Sequence, residues 1–389
     1  MASNTDRVSK ARTYRWGPPN ERVTHPLGPV SKNATSRAPA PPRRMDCRSF
    51  IKALSATGLA MIAGPSAANT NDYRPSVSVI KDIFDRNFFD PTWMASQQAR
   101  TVFSDLTDIA DAAPEPEQFR RDFAQLFRRI GLSHVVLSAQ HCSAAELGHH
   151  FDSVQVGADA VSLGWDQSLA RLSVRTFIGQ DTGPHITAAF EEIISNDAKG
   201  LIIDLRDNPG GAFAMRHLVG HCIPDGVDAG VLLGRGWPGD AGLIPDRTQI
   251  EALKPWHGSS VDGLWDYLAT HDIPRVHFSP MRPMFHGPIA ILINGKTQSA
   301  AELVAEVLRS TRDAVLIGET SADALLVQKP FDVGDQFTLF LPVADYVSHR
   351  SGWIEGVGLV PDVSASTQDA RSVALSVLSG MYPVDETIP

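Results

Sequence analysis

Two short apolar runs constrain this chain most: "LIIDL" at 201–205 and "IAILI" at 289–293. Neither alternates with polar residues, and each is rich in isoleucine. A strand of that kind must be covered on both faces, which is the habit of a mostly parallel sheet flanked by helices. Each run ends in a turn and leads into apolar residues at helical spacing, "AFAMRHLVGHC" after the first and "SAAELVAEVLRST" after the second. "ARLSVRTFI" (170–178) and "AVLIGET" (314–320) read as further strands, and "ITAAFEEIIS" (186–195) as an amphipathic helix. Strands alternating with helices make the chain α/β.

The flanks read differently. Residues 76–130 carry helical periodicity in "VSVIKDIFDRNF" and "EQFRRDFAQLFRRI", followed by a short strand, "SHVVLSA". Residues 141–160 are polar and show no clear element. Residues 224–287 are rich in Gly, Pro and Trp and read as a lid-like insertion with one helix near "DGLWDYLATH". "FTLFLPVADYVS" (337–348) reads as an edge hairpin. The expected organisation is a helical N-terminal subdomain at 69–140 and a catalytic domain at 141–389.

Residues 1–44 are rich in Pro, Ser, Asn and Arg and read as a disordered leader. From Met45 the chain has the layout of a signal peptide, 45–68: Arg48 and Lys52, an apolar stretch from Ala53 to Gly64, then Ser66-Ala67-Ala68. This pattern points to a periplasmic or secreted protein whose true start is Met45. Of 35 basic and 44 acidic residues, the first 68 positions hold 11 and 3, leaving 24 basic against 41 acidic and a net charge of −17. Such a body argues against nucleic-acid binding. Two cysteines, Cys142 and Cys222, follow the leader and could pair. No run of eighteen apolar residues suggests a membrane span.

"DLRDNPGG" (204–211) is the most specific stretch. Two glycines before a helix free backbone N–H groups to face an anion. "TQSAAE" (297–302) has two readings. Ser299 with Glu302 three residues on is a capping box. A serine at a strand-to-helix turn is also a place for a nucleophile.

Together, "GLIIDLRDNPGG" and "GPIAILINGKTQSAAELVAEVLRSTRDAVLIGET" resemble the carboxyl-terminal (tail-specific) processing serine peptidases, a family that includes the tricorn core protease and the interphotoreceptor retinoid-binding modules. The resemblance covers 76–365. It implies a ClpP/crotonase-like stack of ββα units with a helical N-terminal subdomain. It also implies that Ser299 is the nucleophile, with an oxyanion hole from the N–H of Ala300 and that of Gly210 or Gly211. The position of the family's catalytic lysine is Ala324, and Lys329 lies beyond it, so a Ser–Lys dyad is absent. The tricorn-like arrangement instead matches "RRIGLSHVVL" and "GWIEGVGLVPDV": His134 as general base, oriented by Ser133 and Glu355. A serine needs such a base at neutral pH, and the base needs a third group to hold its tautomer. The turn after "GET" is Ser-Ala-Asp-Ala where the family usually has glycine. The span between "SHVVL" and "ARLSVRTF" is too short for a PDZ-like module.

The implied activity is peptide-bond hydrolysis by acyl transfer, with no cofactor or metal, on a peptide or protein substrate, in a possible homo-oligomer. The alternatives are a serine esterase, or a non-catalytic binder of an apolar small molecule using Trp237, Trp256 and Trp265. His217 and His221 could share a metal but have no evident third ligand. His141-Cys142 could offer a thiol nucleophile, His149-His150 sit in a polar loop with no partner visible in the sequence, and Asp323, Asp332 and Asp335 read as a solvated face.

Overall fold

The structure, a computed structural model, describes residues 72–237, 245–270 and 273–381. The leader and signal-like segment, 1–44 and 45–68, lie outside the described residues.

Four helices open the fold, at Arg74–Asn87, Pro91–Ala95, Gln97–Ala112 and Pro116–Arg129. Proline in the first turn starts three of them, where a missing N–H costs nothing. Their apolar faces meet in an aromatic core, with Phe84, Phe88, Phe119, Phe123 and Phe127 fully buried. Strand β1 (Val136–Ala139) follows, then a helix at Ala144–Ser153 begun by the reciprocal Ser143–Glu146 capping box, in the stretch that showed no clear element. Strands β2 (Val161–Asp166), β3 (Leu169–Val174) and β4 (Gly200–Asp204) come next, then β5 (Val227–Gly234), β6 (Pro255–Trp256), β7 (Arg275–Phe278), β8 (Ile289–Ile293) and β9 (Val315–Gly318). The chain continues through β10 (Leu326–Val333), β11 (Phe337–Ser348), β12 (Gly352–Trp353) and β13 (Val363–Ser364) to a helix at Ala370–Met381.

Six strands form one sheet in the order β13-β9-β8-β4-β3-β2, parallel except for the β2–β3 hairpin. Its two faces explain the unbroken apolar runs. Leu201, Ile203, Ile289, Ile291 and Ile293 face a core shared with the helices Thr182–Ser195 and Ala300–Arg312. Ile202, Ala290 and Leu292 face the other way, onto Ala370, Ala374 and Leu378 of the last helix. β4 and β8 are neighbours with Asp204 opposite Leu292, so the turns after both strands emerge side by side. In such sheets a ligand site forms beyond the carboxyl ends of the strands.

The second sheet runs β1-β11-β5-β7-β6, with β10 and β12 also paired to β11. Here two sequence expectations are corrected. "FTLFLPVADYVS" does turn back on β10, yet it is no edge: β11 pairs with β1, β10, β5 and β12 along its length. Its near-complete burial reflects cover on both faces. The segment 224–287 holds the expected helix, at Val261–Thr270, but its ends are sheet strands, β5 and β7. Long-range pairing gave order that local periodicity did not show. Cys222 is a free, fully buried thiol whose pKa burial pushes up to about 12, so it does not pair with Cys142. Asp332 is not merely solvated either: its Oδ1 accepts the Ala144 N–H and the Gln140 side-chain amide, each at 2.9 Å.

Candidate active site

Buried side chains knit together the two turns beyond β4 and β8. Asn208, 0% exposed, donates its amide to the Val174 carbonyl, accepts the Gly210 N–H at 2.8 Å, and offers its own carbonyl to the Gln298 N–H at 3.1 Å. Asn294 Oδ1 accepts the Asp207 N–H, and the Thr297 hydroxyl donates to the Leu205 carbonyl at 2.8 Å. These bonds fix "DLRDNPGG" against "TQSAAE".

Ser299 ends this turn with φ 56° and ψ −124°. A capping serine is extended, as at Ser96 (φ −73°, ψ 160°) and Ser143 (φ −65°, ψ 156°) of the same chain. Ser299 has instead a conformation that non-glycine residues rarely take, at a cost of roughly 1–3 kcal/mol. Its N–H donates to the Ala324 carbonyl at 2.8 Å and to Glu302 Oε2 at 3.0 Å. The glutamate half of the capping box is therefore formed, while the serine backbone is that of a strained turn.

Glu302 does more than reach back. It is 0% exposed and accepts from Ser299 N–H, Asp323 N–H, Ala324 N–H and the Ser321 hydroxyl. Burial raises its pKa to about 7 in spite of those four donors. Ser321 N–H and Ala322 N–H find the carbonyls of Leu359 and Thr297, and Leu325 N–H donates to Glu355 Oε2 at 2.7 Å. Every amide from 321 to 325 thus has an acceptor, and two glutamates hold this loop. That is how it manages without glycine: Asp323 takes the positive φ of 54°, which aspartate tolerates.

Gly210 has φ 89° and packs behind the serine; a Cβ there would lie 2.7 Å from Ser299 Cβ and 2.9 Å from Ala300 N. Its N–H is held by Asn208 Oδ1, which removes it as an oxyanion donor and leaves Gly211. The isolated bridge to Phe177 uses the Gly210 carbonyl and the Ala212 N–H, which turns the Gly211 N–H to the opposite side. Ala300 opens its helix, so its N–H has no intrahelical acceptor.

Ser133 and His134 lie in the turn before β1, not in the strand itself, and His134 has φ 59°. Ser133 Oγ stands 2.7 Å from His134 Nδ1. Burial lowers the His134 pKa to about 4, so the ring is neutral at pH 7. If the Ser133 hydroxyl accepts from Nδ1–H, the lone pair is left on Nε2, the form a base requires.

A cavity of about 580 Å³ brings these parts together. Ser133, His134, Gly211, Ser299, Ala300 and Ala324 all line it. Glu355 is 6% exposed and stands behind that wall, reaching it through its bond to the cavity-lining Leu325. Trp256 and Trp265 line the cavity too, and Trp265 Nε1 donates to the Gln328 carbonyl at 2.9 Å. Trp237 packs elsewhere, against the Val231–Leu233–Ile250 cluster. Lys329 lies in β10 with its Nζ 5.9 Å from the Trp265 ring. Sequence reasoning missed Asn208, Thr297 and the loop-holding role of Glu302; of these only the position of Glu302 carried a signal, as half of a capping box.

His217 and His221 have structural partners. His217 Nδ1 and His221 Nε2 each stand 2.9 Å from the Thr187 hydroxyl, and His221 Nδ1 is 2.6 Å from the Pro283 carbonyl. Among the described residues no group of three metal-ligating side chains is found. His149 and His150 lie on the Ala144–Ser153 helix.

Residues 168–365, just over half of the chain, match Peptidase family S41. The chain is 26% identical over 207 residues to carboxyl-terminal-processing peptidase 3 of Arabidopsis thaliana, covering 53% of this chain and 33% of that protein. It is 25% identical over 204 residues to the carboxy-terminal processing protease CtpA of Bacillus subtilis, covering 52% and 36%. The match thus spans about a third of the length of either relative. The structure of a lipoprotein from Streptococcus agalactiae superposes on 81% of this chain and 99% of its own, with a TM-score of 0.51 and 17% identity, a likeness of fold. The chain belongs to peptidase family S41.

Proposed function

We propose that this protein is a serine peptidase that hydrolyses peptide bonds by acyl transfer. One observation carries the reading: Ser299 is held in a strained backbone conformation on the wall of a cavity that His134 and Ser133 also line. Strain of this kind persists where the surroundings over-determine it, and it clusters at active sites.

In this mechanism the Ser299 hydroxyl attacks the scissile carbonyl while neutral His134 takes its proton. Ser133 positions the imidazole through Nδ1, and the N–H groups of Gly211 and Ala300 receive the oxyanion. His134 then protonates the leaving amine, and water, activated by the same histidine, hydrolyses the acyl-enzyme. Glu302 and Glu355 act as positioning residues through the 321–325 loop. Export to the periplasm or outside the cell belongs to the proposal and rests on the 45–68 sequence pattern.

The test is turnover of internally quenched fluorescent peptides and denatured casein by the wild type beside Ser299→Ala. Cleavage by the wild type alone supports the reading; equal cleavage by both proteins removes Ser299 as nucleophile. The aromatic lining favours a second reading, an apolar small-molecule binder. It would show as tight uptake of such a ligand with no turnover of peptide or ester.

A further inference from the structure

The charge around the cavity is opposite to that of the chain. The protein carries a net charge of −9, yet among the described residues the cavity is lined by Arg128, Arg216 and Arg275 and by no aspartate or glutamate. Arg275 is partly neutralised, its guanidinium 3.3 Å from Asp228, which His277 Nδ1 also meets at 2.8 Å. Among the described residues Arg216 has no such partner. Its guanidinium lies 5.2 Å from the Phe213 ring centroid and 5.1 Å from that of Trp256. Among the described residues its hydrogen bonds go to the backbone carbonyls of Trp256 and His257, each at a long 3.3 Å. Elsewhere arginines meet carboxylates directly, as Arg206 meets Asp204 at 2.5 Å and Arg129 meets Asp105 at 3.1 Å.

Position gives this cation its meaning. Arg216 follows Gly211 by five residues, in the short helix after the glycine turn, and lines the same cavity as Ser299. Its aromatic neighbours hold the planar group and limit its contact with water, while long carbonyl bonds leave donor capacity. Arg128, at the end of the helix before Ser133-His134, adds positive charge to the lining of the same cavity.

We infer that Arg216 forms a carboxylate-binding subsite beside Ser299, so that the protein selects substrates with an apolar body and a carboxylate held near the scissile bond. The inference rests on the peptidase reading for its substrate class. The carboxylate could belong to an Asp or Glu side chain or to a free chain end, and the subsite chemistry is the same for both.

Binding to the Ser299→Ala protein tests this without turnover. The probes are apolar octapeptides, each with Glu or Gln at one position, and a matched pair ending in a free acid or an amide. At least one carboxylate peptide is expected to bind about 10- to 100-fold more tightly than its neutral twin, the range for a charge-assisted hydrogen bond. That advantage should fall to near parity when Arg216→Gln is added, and return in part with Arg216→Lys. An advantage confined to the free-acid pair assigns the subsite to a chain end; one confined to a Glu/Gln pair assigns it to a side chain. No advantage for any carboxylate, no binding of any peptide, or an advantage that survives Arg216→Gln overturns the inference. Arg216-dependent binding without cleavage by the wild type would keep the subsite and refute the peptidase.

Discussion

The backbone of Ser299 makes a prediction that does not depend on any substrate. With φ 56° and ψ −124°, any residue with a Cβ carries strain there of roughly 1–3 kcal/mol, and glycine carries almost none. Ser299→Ala removes the hydroxyl but keeps the Cβ. Ser299→Gly removes both, at the cost of about 0.4–1 kcal/mol from the greater freedom of the unfolded chain. The glycine variant should therefore be the more stable of the two by about 1 kcal/mol, although glycine normally weakens a fold. Urea unfolding followed by tryptophan fluorescence would read it, and the thermal midpoint should shift by about 2 °C. Both variants should be inactive. If Ser299→Gly were less stable than Ser299→Ala, the serine would be a relaxed helix cap and the strain argument would fail.

Three further outcomes follow from the site. Because burial lowers the His134 pKa to about 4, kcat/KM should keep its plateau below pH 6.5 and fall only as pH approaches 4; an acid limb at 6.5 or above would mean an exposed imidazole. The folded pKa of Glu302, about 7, lies above its ordinary 4.5, so its contribution to stability is complete below 4.5 and lost as pH rises through 7. The stability gap between wild type and Glu302→Gln should thus narrow by roughly 3 kcal/mol from pH 4 to pH 9 in urea titrations, and a constant gap would contradict the assignment. Gly210→Ala would press a methyl against Ser299 Cβ and Ala300 N, so peptide turnover should drop about 100-fold or more, while a near-normal rate would show that the serine turn is not held from that side.

Much of the fold was legible where local pattern and tertiary environment agree. The runs at 201–205 and 289–293 read as doubly covered strands because alternate residues face two separate cores. β5, β7 and the central place of β11 were hidden, since their partners lie far away in the chain. At the site, Ser299 and the glycine turn could be read as motifs. Gly210 and Gly211 could not be told apart, because the choice depends on where the Asn208 side chain points. The positive φ of His134, the four donors on Glu302 and a cavity lining that holds no acid among the described residues are products of assembly, and no spacing encodes them.

The central claim is that Ser299 is a nucleophile activated by His134. Its most direct measurement is reaction with a fluorophosphonate probe, with the adduct located by mass spectrometry in wild type, Ser299→Ala and His134→Ala. The account predicts one adduct in the wild type, on Ser299, no adduct in Ser299→Ala, and labelling slowed about 100-fold or more in His134→Ala. An unlabelled wild type, an adduct on another serine, or labelling that ignores the loss of His134 would contradict it.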